Sequence, residues 1–253
     1  MNTFFAPTRV FATTLAALLC LAPAAFGDSL DVVRGDATWH PFETPSVSGS
    51  AFWNNRSLDF NSECNVGYWL NGTGGCPQRG GLFLATSPRV TPDYLGNAST
   101  GFQMTKAPDT ALVTVTNRME VSAYRPTNEF GWFDTNTPTV LNWLFRGPNP
   151  IGATATFIPS GSYGFYIKSP ESTFLSTGAG DGVTHFAVFQ LAANARYIIG
   201  AEDMWVSSDR DFNDVIVEVE VGAVPEPATL ALLATGLAGI GAAARRRRKG
   251  LNR

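Results

Sequence analysis

Six oxygen-bearing side chains fall within thirteen positions near the C-terminal end of the sequence. They are Glu202, Asp203, Asp209, Asp211, Asn213 and Asp214. Calcium takes about six to eight oxygen ligands, and alternate positions of a tight loop direct their side chains toward one centre. Because carboxylates placed this closely repel each other without a cation, the pattern predicts a calcium site formed by these residues. The alternative is a solvated turn in which Asp and Asn bond to their own backbone.

The second half of the motif begins with the spacing of an EF-hand loop and then departs from it. Asp209, Asp211 and Asn213 stand at alternate positions, as the first ligands of that loop do. Asp214 stands where the EF-hand needs Gly, no Glu closes the loop, and a strand pattern follows in place of a helix. The cation is therefore expected in a loop that leads into a strand, and not in an EF-hand.

Alternating residues predict the strands that position this loop. In the last strand, one face carries Val215, Val217, Val219 and Val221. The opposite face carries Ile216, Glu218 and Glu220, which is typical of an antiparallel sheet with one wet face. Similar patterns predict strands over 111–123, 163–167, 185–191 and 196–200. No helical apolar period of useful length interrupts them, so we expect an all-β fold, an antiparallel β-sandwich of jelly-roll type.

The composition indicates a globular, acidic body. The chain has 253 residues, of which 44% are hydrophobic and 15% charged, enough for one large β domain or two small ones. Residues 28–224 carry 11 basic and 20 acidic side chains, a net charge of −9. Because phosphate binding needs a basic face, this balance argues against nucleic acid as a partner. No clear linker or repeat divides the region, so one domain is expected over 28–222.

Residues 1–27 have the three-part layout of a signal peptide. Arg9 precedes an apolar run over 10–21, and small residues follow as far as Gly27. Cleavage by signal peptidase is expected after Gly27, with cleavage after Ala24 as the alternative. A buried apolar helix is the other interpretation, but the run is short and has no amphipathic period.

Residues 223–253 predict a membrane-spanning tail. Pro225, Glu226 and Pro227 precede an uncharged stretch over 228–244. The basic cluster that follows consists of Arg245, Arg246, Arg247, Arg248 and Lys249. As a helix, the uncharged stretch would be about 26 Å long, just short of the ~30 Å hydrocarbon core. The basic cluster would stay cytoplasmic, which places the body across the membrane. An ordinary tail anchor is the alternative.

This tail resembles the PEP-CTERM sorting signal of Gram-negative bacteria. The Pro-Glu-Pro, the Ala/Leu/Gly-rich span and the terminal Arg cluster occur here in that order. The resemblance implies a transient stay in the inner membrane and removal of the tail by an exosortase near Pro-Glu-Pro. It also implies delivery to the cell surface or to an exopolysaccharide matrix.

The body resembles the family known as domain of unknown function 4114, over about residues 130–221. The matching residues are Tyr163-Gly164-Phe165-Tyr166, His185-Phe186, Gly200-Ala201-Glu202-Asp203 and Asp209-Arg210-Asp211-Phe212-Asn213-Asp214. Ala201 stands where a large residue is common, and Ser207-Ser208 replaces a Gly-rich turn. The family has no established activity, so the resemblance implies fold and location more than function.

Two cysteines, Cys64 and Cys76, remain once Cys20 leaves with the signal peptide. Export favours a disulfide between them, worth roughly 3 kcal/mol in the chain-entropy model. Metal ligation by two lone thiols is the less favoured interpretation.

No residue pattern typical of catalysis stands out. His185 follows Asp181 and leaves a Ser/His/Asp arrangement open, but no nucleophile elbow or zinc-binding His pair supports it. We therefore expect a non-catalytic surface or matrix protein with calcium as its cofactor. The alternative is a carbohydrate-binding module or a hydrolase that acts on extracellular polysaccharide. Its sugars would stack on Trp39, Trp53, Trp69, Trp132 or Trp143, which otherwise belong to the sandwich core.

Overall fold

A computed structural model supplies the structure and describes residues 27–44, 46, 49–54, 65–71, 92–108, 110–122, 124–178, 182–191, 196–204, 208–223, 235–236 and 239–240. Residues 1–26, both cysteines of the predicted disulfide (Cys64 and Cys76), the Pro-Glu-Pro motif at 225–227 and the basic cluster at 245–249 lie outside these ranges. The expectations for those segments stay predictions. Within the described part of the chain, no helix is long and apolar enough to cross a membrane.

The described residues of the body form thirteen strands and a short helix. The strands are β1 (Ser29–Arg34), β2 (Trp39–His40), β3 (Asp93–Leu95), β4 (Gly101–Thr105), β5 (Thr110–Met119), β6 (Glu129–Asp134), β7 (Leu141–Arg146), β8 (Thr154–Phe157), β9 (Tyr163–Lys168), β10 (Thr173–Leu175), β11 (Phe186–Gln190), β12 (Arg196–Ala201) and β13 (Val215–Ala223). The helix, α1 (Val66–Asn71), lies between β2 and β3 in the sequence.

The strands form two antiparallel sheets that pack face to face. The first has the order β1-β4-β9-β6-β7, with β10 paired to β9, and the second has the order β2-β3-β11-β12-β13-β5-β8. Alternate residues of both sheets meet in a main core that includes Phe102, Phe130, Phe165, Val113, Ile199 and Val217. The predicted antiparallel β-sandwich is confirmed, whereas a strand order of jelly-roll type stays a prediction.

The second sheet also buries part of its outer face. Residues 42 and 51–53, together with helix α1, form a covering layer over that face and build a second core with it. Trp53 is fully buried there and meets Phe189 of β11 edge-on, with 5.3 Å between the ring centroids. Ile216 of β13 belongs to the same second core. The prediction that this face of the last strand is exposed to solvent is therefore wrong at Ile216, because the covering layer packs on it.

Glu218, on the same face of β13 as Ile216, is also buried, and its charge is neutralised by two ion pairs. Arg118 of β5 donates from Nε to Oε2 of Glu218 at 2.8 Å, and Arg196 of β12 donates from Nε to Oε1 at 2.7 Å. Each carboxylate oxygen therefore accepts from a different neighbouring strand. Glu220 remains exposed and meets Arg196 at 3.0 Å, so the wet face is confined to the far end of the strand.

Candidate metal centre

The acidic loop joins two neighbouring strands inside the second sheet. β12 ends at Ala201 and β13 begins at Val215, and these two residues pair across the sheet. The loop then folds back closely over β12. At Gly200 a Cβ atom would lie 2.4 Å from the carbonyl oxygen of Phe212, so only glycine permits this approach.

Phe212 anchors the loop in the second core. Its φ of 53° and that of Arg210, 54°, are left-handed conformations, which cost about 1–3 kcal/mol each in residues that carry a side chain. The Phe212 ring is buried and meets Phe52 edge-on at 5.4 Å. Burial of a Phe side chain contributes about 1.5–3 kcal/mol, which offsets the strain at Phe212. The first residue of α1 adds a contact, since the Val66 amide donates to the carbonyl oxygen of Asp211 at 2.8 Å.

Glu202 is the innermost carboxylate of the loop and is only 1% exposed. Its Oε2 accepts from the Ser208 hydroxyl at 2.7 Å, and its Oε1 accepts from the Phe212 amide at 2.5 Å. Burial, followed by the charge of Asp209, raises the pKa of Glu202 to about 7. A carboxylate in this environment needs either a proton or a nearby cation, because an isolated buried charge is costly.

Three carboxylates of the loop converge on one place. One oxygen from each of Glu202, Asp209 and Asp211 lies within 4.8 Å of the other two. Glu202 and Asp211 are buried and Asp209 is partly exposed. Oxygens bound at about 2.3–2.6 Å from a common calcium ion lie at most about twice that distance apart, so the spacing fits this cation. Peptide carbonyls and water commonly complete such a coordination shell.

The structure arranges the other three predicted ligands differently. The backbone amide of Asn213 donates to Asp211 Oδ1 at 3.1 Å, and its side-chain amide donates to Asp211 Oδ2. Asp214 Oδ2 accepts from the Asp203 amide at 2.8 Å. Burial, followed by the charges of neighbouring carboxylates, raises the pKa of Asp214 well above its ordinary value. The predicted set is thus divided into the three converging carboxylates, Asn213 bonded to one of them, and a pair formed by Asp203 and Asp214.

Asp203 links the loop to the connection between β5 and β6. Its Oδ2 accepts from the Ser122 hydroxyl and from the side-chain amide of Asn128, the latter at 2.5 Å. These partners stand 81 and 75 residues earlier in the sequence, so no local spacing points to them. Ser208 is also absent from the predicted set, although it lies inside the loop next to Asp209.

His185 lies immediately before β11 and packs against an aromatic ring. The imidazole stacks on Phe174 with 3.6 Å between centroids, and the His185 carbonyl oxygen accepts from the Glu202 amide at 3.0 Å. Ala187, Phe189 and Leu191 occupy alternate positions of the predicted strand over 185–191 and lie in the second core. Asp181 lies outside the described residues, so a Ser/His/Asp arrangement stays a hypothesis.

Comparison with known proteins identifies two segments of the chain. Residues 160–222 match the family model described as Domain of unknown function (DUF4114), and residues 223–248 match the PEP-CTERM protein-sorting motif. Both expected resemblances are confirmed, although the first match begins at residue 160 and not near 130. No curated protein and no solved structure matches the chain.

These matches place the chain in the class of exported proteins that carry a sorting tail. The sorting motif indicates a membrane-anchored intermediate that an exosortase processes. Ahead of it lies the DUF4114 segment, which includes the whole acidic loop and all of β13 except its last residue.

Proposed function

We propose that this chain is a non-catalytic protein of the cell surface or exopolysaccharide matrix of a Gram-negative bacterium, stabilised by calcium at Glu202, Asp209 and Asp211. The convergence of these three carboxylates within 4.8 Å, two of them buried, carries the metal part of the proposal. The sorting motif supports the location. Extracellular calcium modules bind at about 0.1–1 mM, so a site with only three carboxylates suits an exported protein.

The position of the loop explains how calcium would stabilise the fold. A ligand that binds only the native state adds about 2.7 kcal/mol when its concentration is 100 times its Kd. The loop connects β12 and β13, carries Phe212 into the second core and accepts the first amide of α1. A cation that neutralises Glu202, Asp209 and Asp211 would therefore hold the covering layer on the second sheet.

Removal of calcium is expected to lower the melting temperature of the wild-type chain. For the Asp209→Asn plus Asp211→Asn variant we expect the same melting temperature with calcium and with a chelator, because two of the three carboxylates are neutral. Thermal unfolding followed by circular dichroism, with saturating calcium or EDTA, measures both effects.

A charge-matched control separates calcium binding from a general effect of net charge. Asp31→Asn plus Asp93→Asn also removes two carboxylates, both exposed and far from the loop in the sequence. This variant should keep the calcium dependence of the wild type. A wild-type melting curve that calcium leaves unchanged would refute the metal site.

A cleft favours carbohydrate binding as a second candidate function. It has a volume of about 540 Å³, within the range of small-ligand sites, and Trp39, Lys106, Gln190 and Tyr197 line it. Aromatic rings beside polar side chains suit sugars, which present apolar faces and hydroxyl groups. Asp28 also lines the cleft, but its two carboxylate oxygens accept from the Ala107 amide and the Tyr163 hydroxyl. The cleft therefore suits binding better than hydrolysis.

Replacement of Trp39 tests this candidate. Trp39→Ala should weaken retention on immobilised exopolysaccharide about tenfold, which corresponds to about 1.4 kcal/mol of stacking energy. Affinity electrophoresis through a gel that contains the polysaccharide measures the change. Trp143→Ala is the matched control, because Trp143 is exposed on β7 and does not line the cleft. If only the Trp143 variant loses retention, the cleft is not the binding site.

A further inference from the structure

Strand β8 forms one edge of the second sheet. It pairs with β5 on one side, and within the described residues no strand pairs with its other side. On an edge strand, the backbone N–H and C=O groups that face outward are unpaired and can bond to a further strand. Phe157 packs into the main core, whereas Thr154 and Thr156 on the opposite face are exposed. The sandwich thus holds β8 by its inner face and leaves its edge and outer face accessible.

The other three edges of the two described sheets carry features that hinder pairing with a further strand. Natural edge strands are protected by charges, by bulges or by shortness. β1 carries Asp31 and Arg34 and has an irregular register with β4. β7 ends in Arg146 and has an irregular register with β6, and β2 has only two residues. By contrast, the four residues of β8 keep a regular register with β5 and include no charge and no proline.

The surface around β8 is uncharged and partly apolar. No charged side chain occurs between the end of β7 and the start of β9. Ile151 before the strand and Ile158 directly after it are 51% and 65% exposed. Leu112 of β5 is 40% exposed and lies next to Ile158, because Val113 pairs with Phe157. Covering this surface would remove apolar area from water, and no charge of this stretch would have to be desolvated.

The charge balance of the body indicates which partner fits this edge. Residues 28–224 carry a net charge of −9, so two copies of the chain repel each other over most of their surfaces. At β8 a second copy can approach without bringing charged side chains of this stretch together. An edge strand can also pair antiparallel with its own copy about a two-fold axis, the commonest symmetry of oligomers. An axis perpendicular to the sheet keeps the two outer faces on the same side.

We propose that two copies of this chain associate edge to edge through β8, antiparallel about a two-fold axis, so that the second sheet continues from one copy into the other. The outer-face residues Thr154, Thr156 and Ile158 of one copy then lie opposite the same three positions of the second copy. Because a four-residue strand gives a small interface, the dimer forms at micromolar or higher concentrations of protein. The association uses neither the calcium ligands nor the cleft, so its failure would leave the proposed function intact.

The mass of the chain in solution tests the proposal. Sedimentation velocity of the purified exported chain, with saturating calcium and from micromolar to millimolar concentration, should show the wild type shifting from one chain to two. Thr156→Lys puts a charge on the edge strand and should stay monomeric throughout. Val33→Lys is the matched control, because Val33 is 47% exposed on β1 and the substitution adds the same charge. This control should dimerise as the wild type does.

Opposite charges at position 156 distinguish a loss of pairing from a loss of folding. Thr156→Lys and Thr156→Glu should each be monomeric and keep the circular dichroism spectrum of the wild type, since Thr156 is exposed. An equimolar mixture should dimerise, because pairing centred on β8 brings position 156 of the two copies directly or diagonally opposite each other. A wild type that stays monomeric, a dimer that Thr156→Lys leaves unchanged, or a mixture that does not associate would overturn the proposal.

Discussion

Trp53→Ala is expected to lower the free energy of unfolding by about 3–5 kcal/mol, the usual cost of removing a large buried aromatic side chain. Trp53 is fully buried and contacts Phe42, Tyr94 and Phe189, with ring centroids 5.3 to 5.5 Å apart. Its loss would leave a cavity between the covering layer and the second sheet. Urea denaturation followed by circular dichroism measures the change as a shift of the midpoint.

The same variant should also bind calcium more weakly. Phe212, which anchors the acidic loop, belongs to the second core that Trp53 fills. Trp143→Ala provides the control, since Trp143 is 59% exposed and its ring lies against the Arg146 guanidinium at 5.3 Å. That control should cost less than about 1 kcal/mol. Equal losses in the two variants would contradict the existence of the second core.

The calcium-free chain is expected to lose stability as the pH rises from about 4.5 to about 7. The pKa of Glu202 is raised to about 7 in the folded state, from 4.5 as the ordinary value. A raised carboxyl pKa means that the folded state binds the proton more tightly than the unfolded state does. The stabilisation is therefore complete below pH 4.5 and is lost as the pH passes through about 7, at about 1.4 kcal/mol for each unit by which the pKa is raised. The raised pKa of Asp214 acts in the same direction.

Saturating calcium should remove this loss, because the cation replaces the proton on the deprotonated carboxylates. Denaturant midpoints at several pH values, with and without calcium, measure both profiles. Glu202→Gln should flatten most of the calcium-free slope, whereas Glu220→Gln should keep it, since Glu220 is exposed on β13. A calcium-free wild type whose stability is constant over this pH range would contradict the predicted charge state of the loop.

The sequence predicts the inner strands of the second sheet better than the rest of the fold. β5, β11, β12 and β13 are predicted with ends within four residues of those observed, because alternation over five to ten residues is a clear signal. In the first sheet, β9 is also predicted, since 163–167 matches Tyr163–Lys168. Other strands of that sheet do not alternate clearly, because β6, for instance, buries Glu129, Phe130 and Gly131 in succession. The covering layer is not predicted either, since α1 has only six residues and no apolar period at that length.

The acidic motif identifies the loop correctly, but it does not show which of its oxygen-bearing side chains lie together. Alternation suggests that all six oxygen-bearing side chains face one centre. The structure groups Glu202 with Asp209 and Asp211, and it binds Asp203 to Asn128, 75 residues earlier. This division depends on the left-handed backbone at Arg210 and Phe212. The sequence does not predict that conformation, because neither position carries the Gly that usually adopts it.

β13 is the last strand along the chain among the described residues, yet it lies inside its sheet between β12 and β5. A ribosome-bound or partly exported chain that ends before Val215 has two open strand edges, and open edges promote aggregation. The second sheet can therefore form completely only after β13 has been synthesised and exported. Proteolysis from the C-terminal side that removes part of β13 would expose the edges of β12 and β5 again. A correctly folded second sheet therefore requires the chain to be intact as far as the end of β13.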